Sequence, residues 1–229
     1  VSALLEFQLE NGAFTHVLSE DDDLPIYDNG MSTYEALYGM ADGYNKKAAY
    51  DMLFEKYRSE AEKHLFRDFK PGNFGFRETS NLVYDYVLSG YPDGTFKPEK
   101  TVSRAEFAKF LVFGLDYKDQ IETTKGYLNF IDVDDNHWAK EVIGVCVDKG
   151  LLRGLTEKEF TPNEEITGEQ LMAVLVRALG LEEEAESLQK EGESWSYGSL
   201  QVAKNKGLMY QGFEPSTAVT RAQCAWCID

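Results

Sequence analysis

Two arginines in this chain stand where an acidic ligand would meet the start of a helix. Arg104 follows Ser103 and precedes Glu106, and Arg221 follows Thr220 and precedes Gln223. A Ser or Thr followed three positions later by Glu or Gln is a capping box: the hydroxyl accepts from the N3 amide and the N3 side chain returns to the N-cap amide. Each cap contributes about 1 kcal/mol, and this explains Ser103, Glu106, Thr220 and Gln223, together with Thr167 and Gln170 in a third instance of the pattern. It does not explain the arginines. A cation in the first helical turn opposes the helix dipole, so something must compensate it. A guanidinium fork beside free backbone N–H groups makes a two-point site for a carboxylate or phosphate. The alternative is pairing with an acidic neighbour such as Glu99 or Asp93, and both readings are open at this level.

Other residues invite chemistry less strongly. Cys224 and Cys227 form a C-x-x-C pair, but they fall in register with Phe107 and Phe110 and with Leu171 and Val174, which read as core positions, so buried thiols are expected. Asp132, Asp134 and Asn136 alternate as calcium ligands do. However, His137 stands where an EF-hand loop needs Gly and Ile143 where it needs Glu, so helix capping by Asp135 or Asn136 is the preferred reading and no metal site is expected. Trp138 and Trp195 are placed either to stack on a sugar ring or to fill the core at the start of an amphipathic helix. His16, His64 and His137 are scattered, no nucleophile and base are brought together, and neither catalysis nor a cofactor is indicated.

The elements that must position these residues repeat along the chain. Phe96-Lys97-Pro98, Phe160-Thr161-Pro162 and Phe213-Glu214-Pro215 each precede one capping box. A shift of 64 places Phe66 on Phe130, Asp68 on Asp132, Phe74 on Trp138, Gly90 on Gly154 and Phe96 on Phe160 without a gap. The third copy needs a shift of 57 at its first helix and 53 at its second. Each copy reads as helix, loop, helix. The second helices carry apolar stripes at Phe107, Phe110, Leu111 and Gly114, at Leu171, Val174, Leu175 and Ala178, and at Cys224, Cys227 and Ile228. Three such helices around a shared axis would bury all three stripes in a mainly α, pseudo-threefold bundle. The first helices are weaker patterns: Trp138, Ile143 and Cys146; Trp195, Leu200 and Ala203; Phe74, Thr79 and Leu82.

Between the helices of the first copy, the run from Gly90 through Pro92, Asp93 and Gly94 supplies turn chemistry before Phe96 re-enters the core. The charged stretch from Leu181 to Glu193 reads as a linker. Residues 1–62 lie outside the repeats. Helices are expected near Val1 to Glu10, Ser32 to Gly43 and Lys46 to His64, around an acidic loop from Ser19 to Asp28. The boundaries that follow are 1–62, 63–124, 125–182 and 183–229.

Bulk properties narrow the partners. The formal charge of −17 argues against nucleic acid and acidic membranes, which demand a cationic face. No apolar run reaches the length of a bilayer span, so membrane insertion is not expected. The chain opens on Val1 with no charged-then-apolar leader and reads as a mature or excised piece.

The pattern Phe130-x-Asp132, His137-Trp138-Ala139, Gly150-Leu151-Leu152-x-Gly154 and Phe160-x-Pro162, with the run from Gly90 to Leu111, resembles the S-layer homology (SLH) domain across residues 63–229. The resemblance implies a three-pronged spindle that anchors surface proteins to a polysaccharide of the bacterial cell wall, outside the cell or in its S-layer. In that family, grooves between repeats take a terminal amino sugar bearing a pyruvate ketal, and the motif arginine meets the pyruvate carboxylate. The role carries onto Arg104 and Arg221, with Ser103, Glu106, Thr220, Gln223 and Gln170 beside them, Asp93 and Gly94 shaping a groove, and Trp138 as a stacking surface. Copy two has Gly168 in place of the arginine, so at most two competent grooves are expected. The rival reading is a structural module that associates with other surface-layer proteins without binding glycan. Phe7 to Phe14 and Ser32 to Tyr38 resemble the closing hairpins of prenyltransferase and squalene-cyclase-like α/α toroids, which would make residues 1–62 the end of a larger domain.

Overall fold

The structure, a computed structural model, describes residues 58, 61–121 and 128–229. The expected helices over Val1 to Glu10 and Ser32 to Gly43, the toroid-like segment and most of the helix over Lys46 to His64 lie outside those residues. Among the described residues the regular structure is helical: α1 (Phe76–Tyr84), α2 (Arg104–Gly114), α3 (Lys140–Asp148), α4 (Gly168–Ala178), α5 (Glu182–Leu188), α6 (Tyr197–Lys206) and α7 (Arg221–Ile228). Among the described residues β pairing is limited to isolated bridges. The described residues fall into two compact units, the first holding residues 58, 61–80 and 89–97 and the second residues 81–88, 98–121 and 128–229.

The described part of the first unit is built on aromatic packing. Phe96 is fully buried, stacks on Phe69 at 5.3 Å and packs against Phe66 at 5.0 Å. Asp68 holds the segment in place, its carboxylate accepting the amides of Phe96 and Lys97, each at 2.8 Å. The turn expected before Phe96 is present: Asp93 accepts from the Thr95 amide at 3.0 Å and Gly94 adopts φ +77.

The second unit repeats this device with its own residues. Asp132 accepts the amides of Phe160 and Thr161 at 2.9 and 2.6 Å, and Phe130 packs against Phe160 at 5.6 Å. Lys97 and Thr161 both sit in the left-handed region at φ 57, a conformation that costs energy for residues other than glycine. The two accepted amides offset that cost. This is the role of Asp132, whose two oxygens are thereby engaged. The expected helix cap from Asp135 or Asn136 is not formed: the N-cap of α3 is Ala139 without a side-chain bond, and Asp135 instead pairs with Lys140 at 2.6 Å.

The three second helices are joined at their starts. Val102 N–H donates to the Val219 carbonyl, Val219 N–H to that of Ile166, and Ile166 N–H to that of Val102, at 3.0, 2.9 and 2.9 Å. All three side chains are fully buried. All three capping boxes form as expected, at Ser103/Glu106, Thr167/Gln170 and Thr220/Gln223. Each second helix also packs on a neighbour: α2 lies on α3 and touches α7, while α4 lies on α6.

Two expectations change. The stretch from Leu181 to Glu193 is not a linker, because α5 lies within it. Leu181, Ala185 and Leu188 recur at helical spacing and pack with Val176 and Val202. Trp138, Trp195 and Phe74 do not join the core stripes either. The helices begin after them, at Lys140, Tyr197 and Phe76, so all three side chains are exposed while Ile143, Cys146 and Ala203 are buried.

Cys146 and Cys224 are core residues, while Cys227, expected to be buried with Cys224, is only half-buried. Cys224 is buried and its thiol is pushed well above its ordinary pKa by burial; Cys146 is pushed up to about 12 for the same reason. Cys146 donates to the Ala108 carbonyl at 3.5 Å. With the native chain at pH 8, an aromatic disulfide reagent should therefore leave Cys146 and Cys224 unmodified until urea is added. Rapid native labelling of either would contradict their placement. Asp132→Ala strands two amides and should lower unfolding stability by about 2–4 kcal/mol, whereas Asp132→Asn, which keeps one acceptor, should lose about half as much. Urea denaturation giving the parent midpoint for Asp132→Ala would show that the carboxylate does not hold the loop.

Candidate binding cleft

The amides at the helix starts are already occupied. Arg104 N–H donates to Glu164 O at 2.8 Å and Ala105 N–H to Pro162 O at 3.0 Å, while Glu106 N–H donates to the Ser103 hydroxyl at 3.2 Å. Arg221 and Ala222 donate likewise to Lys100 O and Pro98 O, and Gly168 and Glu169 to Thr217 O and Pro215 O. The expected anion site built on free helix amides is thus not available: carbonyls of neighbouring loops satisfy those donors. Any acidic ligand must be met by side chains.

Arg104 is only 3% exposed. Nε donates to Phe160 O at 2.9 Å, Nη2 donates to Arg153 O at 2.7 Å, and the guanidinium lies over the Phe160 ring at 4.6 Å. These carbonyls and this ring face, rather than Glu99 or Asp93, compensate the cation at the helix start. Burial lowers its pKa, against the raising influence of Glu164 and Asp132, yet guanidinium remains charged in proteins. Arg221 is also buried, with its guanidinium over Phe110 at 5.7 Å.

Arg104 forms one wall of a cleft of about 420 Å³. Arg153, Gln170, Arg177, Leu155 and Trp195 line it with Arg104. The elements place each one. Arg153 is the variable position of the Leu151-Leu152-x-Gly154 run. Gln170, Val174 and Arg177 share one face of α4 at i, i+4 and i+7, and Trp195 precedes α6. Ser196, fully buried, donates to Glu169 Oε2 at 2.5 Å and fastens the Trp195 segment to α4. Arg177 donates to Leu151 O at 3.0 Å, and burial, followed by repulsion from Arg153, lowers its pKa while Glu182 raises it. The Arg153 side chain is 64% exposed and the Trp195 residue 59%. Three guanidinium groups, one amide and one indole therefore line a single concavity, with no carboxylate among the lining residues.

Of the residues named from sequence, Arg104, Gln170 and Trp195 meet in this cleft, and Gln170 also closes the cap of α4 at 3.4 Å. Ser103, Glu106, Thr220 and Gln223 are engaged in caps. Glu106 additionally takes Lys100 Nζ at 2.7 Å. Burial opposes its ionisation, but the bonds from Lys100 and the Ser103 amide and the charges of Lys100 and Arg221 outweigh this and lower its pKa. Asp93 and Gly94 shape the turn of the first unit. Trp138 is 58% exposed, stacks on His137 at 5.9 Å and is not among the residues of the cleft.

Sequence reasoning missed Arg153 and Arg177. The signal for Arg177 was its place on the face of Gln170, and that for Arg153 its place in a loop shared between copies. The missing arginine of copy two has a steric reason. A Cβ on Gly168 would stand 2.6 Å from Glu214 O and 2.9 Å from the Phe213 ring, so the Phe213–Glu214 segment leaves no room for a side chain.

Comparison with known proteins agrees with this architecture. Residues 80–108 and 129–172 match the S-layer homology domain. The chain is 29% identical over 144 residues to the surface-layer 125 kDa protein of Lysinibacillus sphaericus, covering 61% of this chain and 12% of that protein. It is 30% identical over 114 residues to a cellulosome-anchoring protein of Acetivibrio thermocellus, covering 50% of this chain and 26% of that protein. An endoglucanase of a Bacillus species is 32% identical over 141 residues, covering 62% and 14%. The matched region thus spans a minor part of each of these relatives. A Phe-x-Pro loop and a capping box recur in each of the two matched segments, and these segments of the chain carry the S-layer homology domain pattern.

Proposed function

We propose that this chain holds a protein at the bacterial cell surface by binding a carboxylate-bearing saccharide of the cell wall, a pyruvylated amino sugar, in the cleft between Arg104, Arg153, Arg177 and Trp195. The observation that carries the reading is the convergence of three guanidinium groups on one concavity of a chain with formal charge −17. Arginine presents donors in a planar fork that fits a carboxylate at two points. An exposed indole offers the flat apolar face that a sugar ring covers. The placement of matched segments in surface-layer and anchoring proteins supports the same location and a non-catalytic module. Arg221 remains part of the proposal as the residue equivalent to Arg104 at the start of α7.

Pulldown on native and chemically depyruvylated wall polysaccharide tests this reading. Binding should be confined to the native polymer. The chain should sediment as a monomer without glycan; self-association without glycan and indifference to pyruvate would favour a structural assembly module instead. Arg153→Ala removes an exposed cation without disturbing the core and should weaken binding about tenfold, or about 1.4 kcal/mol. Arg104→Ala combined with Arg221→Ala should remove binding, and retention of parent affinity by both variants would defeat the assignment.

A further inference from the structure

The cleft does not end at Trp195. A second cavity of about 200 Å³ shares Arg153, Arg177 and Trp195 with it and adds Glu182 and Glu186 of α5 and Ser199 of α6. Its chemistry differs from that of the first. Glu182 Oε1 lies 2.8 Å from Arg153 Nη2 and 3.7 Å from Arg177 Nε, so on this side the two guanidinium groups carry their own counter-ion. The carboxylate of Glu186 and the hydroxyl of Ser199 make no side-chain hydrogen bond or ion pair among the described residues.

The cavity has a fixed floor. Gln189 accepts the Gly198 amide at 2.8 Å and donates to Ser194 O at 2.8 Å, tying the end of α5 to the start of α6. A Cβ on Gly198 would overlap the Ala185 carbonyl, so these two helices meet at the closest approach their backbones allow. Carboxylates and a hydroxyl accept from sugar hydroxyl and N–H groups, and with Glu182 already engaging both guanidinium groups, the remaining carboxylate of Glu186 repels another anion.

We propose that the second cavity is a subsite for an uncharged, hydroxyl-bearing sugar residue adjoining the acidic residue held in the first, so that the groove reads the order of charge along the polymer. The inference rests on the saccharide-binding reading above. α5 builds the subsite, in a stretch whose charge pattern read as a linker.

Calorimetry with the whole 229-residue chain tests it, using three probes. They are the methyl glycoside of a pyruvate-ketal amino sugar, the same compound extended by a neutral N-acetylhexosamine, and the same compound extended by a hexuronic acid. The neutral extension should tighten binding about tenfold and the acidic extension should not. Ser199→Tyr, which fills the cavity from α6, should bring the ratio of neutral-extended to single-sugar affinity to about one, and Glu186→Lys should shift the preference towards the acidic extension. Equal affinity for the single-sugar and neutral-extended probes, or a gain that survives both variants, would overturn the subsite while leaving the first cavity's assignment standing. Failure of every probe to bind would defeat both.

Discussion

A closed cycle of three backbone hydrogen bonds governs everything else in the second unit. Val102, Ile166 and Val219 each give one amide and take one from the next, and a cycle of this kind cannot be half made without leaving a buried donor and acceptor unpaired. It sets where α2, α4 and α7 begin, and hence where the residue after each capping Ser or Thr projects. Because the loops that supply the cycle also supply carbonyls to the next two amides of each helix, the helix starts are electrically satisfied from within. The residue at position 104 is therefore free to be a cation, held by carbonyls of another repeat.

That arrangement explains how a chain of such negative charge keeps a positive cleft. Arg104 is buried and rigid, Arg177 is partly buried and fixed to Leu151 O, and Arg153 is exposed, so the three grade from scaffold to surface. Desolvated cations cost energy unless hydrogen bonded, and here main-chain oxygens, rather than carboxylates, satisfy the deepest one. A carboxylate partner would have cancelled the charge; a carbonyl leaves it to act on the cleft. Glu182 supplies a cancelling charge to Arg153 and Arg177 on the far side, beyond the shared wall of the two cavities.

The parts of this that were legible in the sequence are those with local causes. Capping boxes, the apolar stripes of α2 and α4, and the turn around Asp93 depend on a few neighbouring residues and formed as read, whereas of the stripe of α7 only Cys224 is fully buried. The register of 64 also held in three dimensions, since Asp68 and Asp132 accept the same pair of amides in their own units. What escaped was set by distant partners. Trp138 and Trp195 share a core-like spacing with residues further along, but helices that begin two residues after them turn them outward. Charge masked the helical stripe of Leu181, Ala185 and Leu188, and Arg153 and Arg177 become a pair only when α4 meets the loop after α3.

Amide hydrogen exchange at Val102, Ile166 and Val219 tests the governing constraint most directly. The account predicts that the three amides exchange last and together, through global unfolding, as expected for mutually dependent buried bonds. Exchange of any one of them at the rate of exposed turn amides, with the other two still protected, would contradict it.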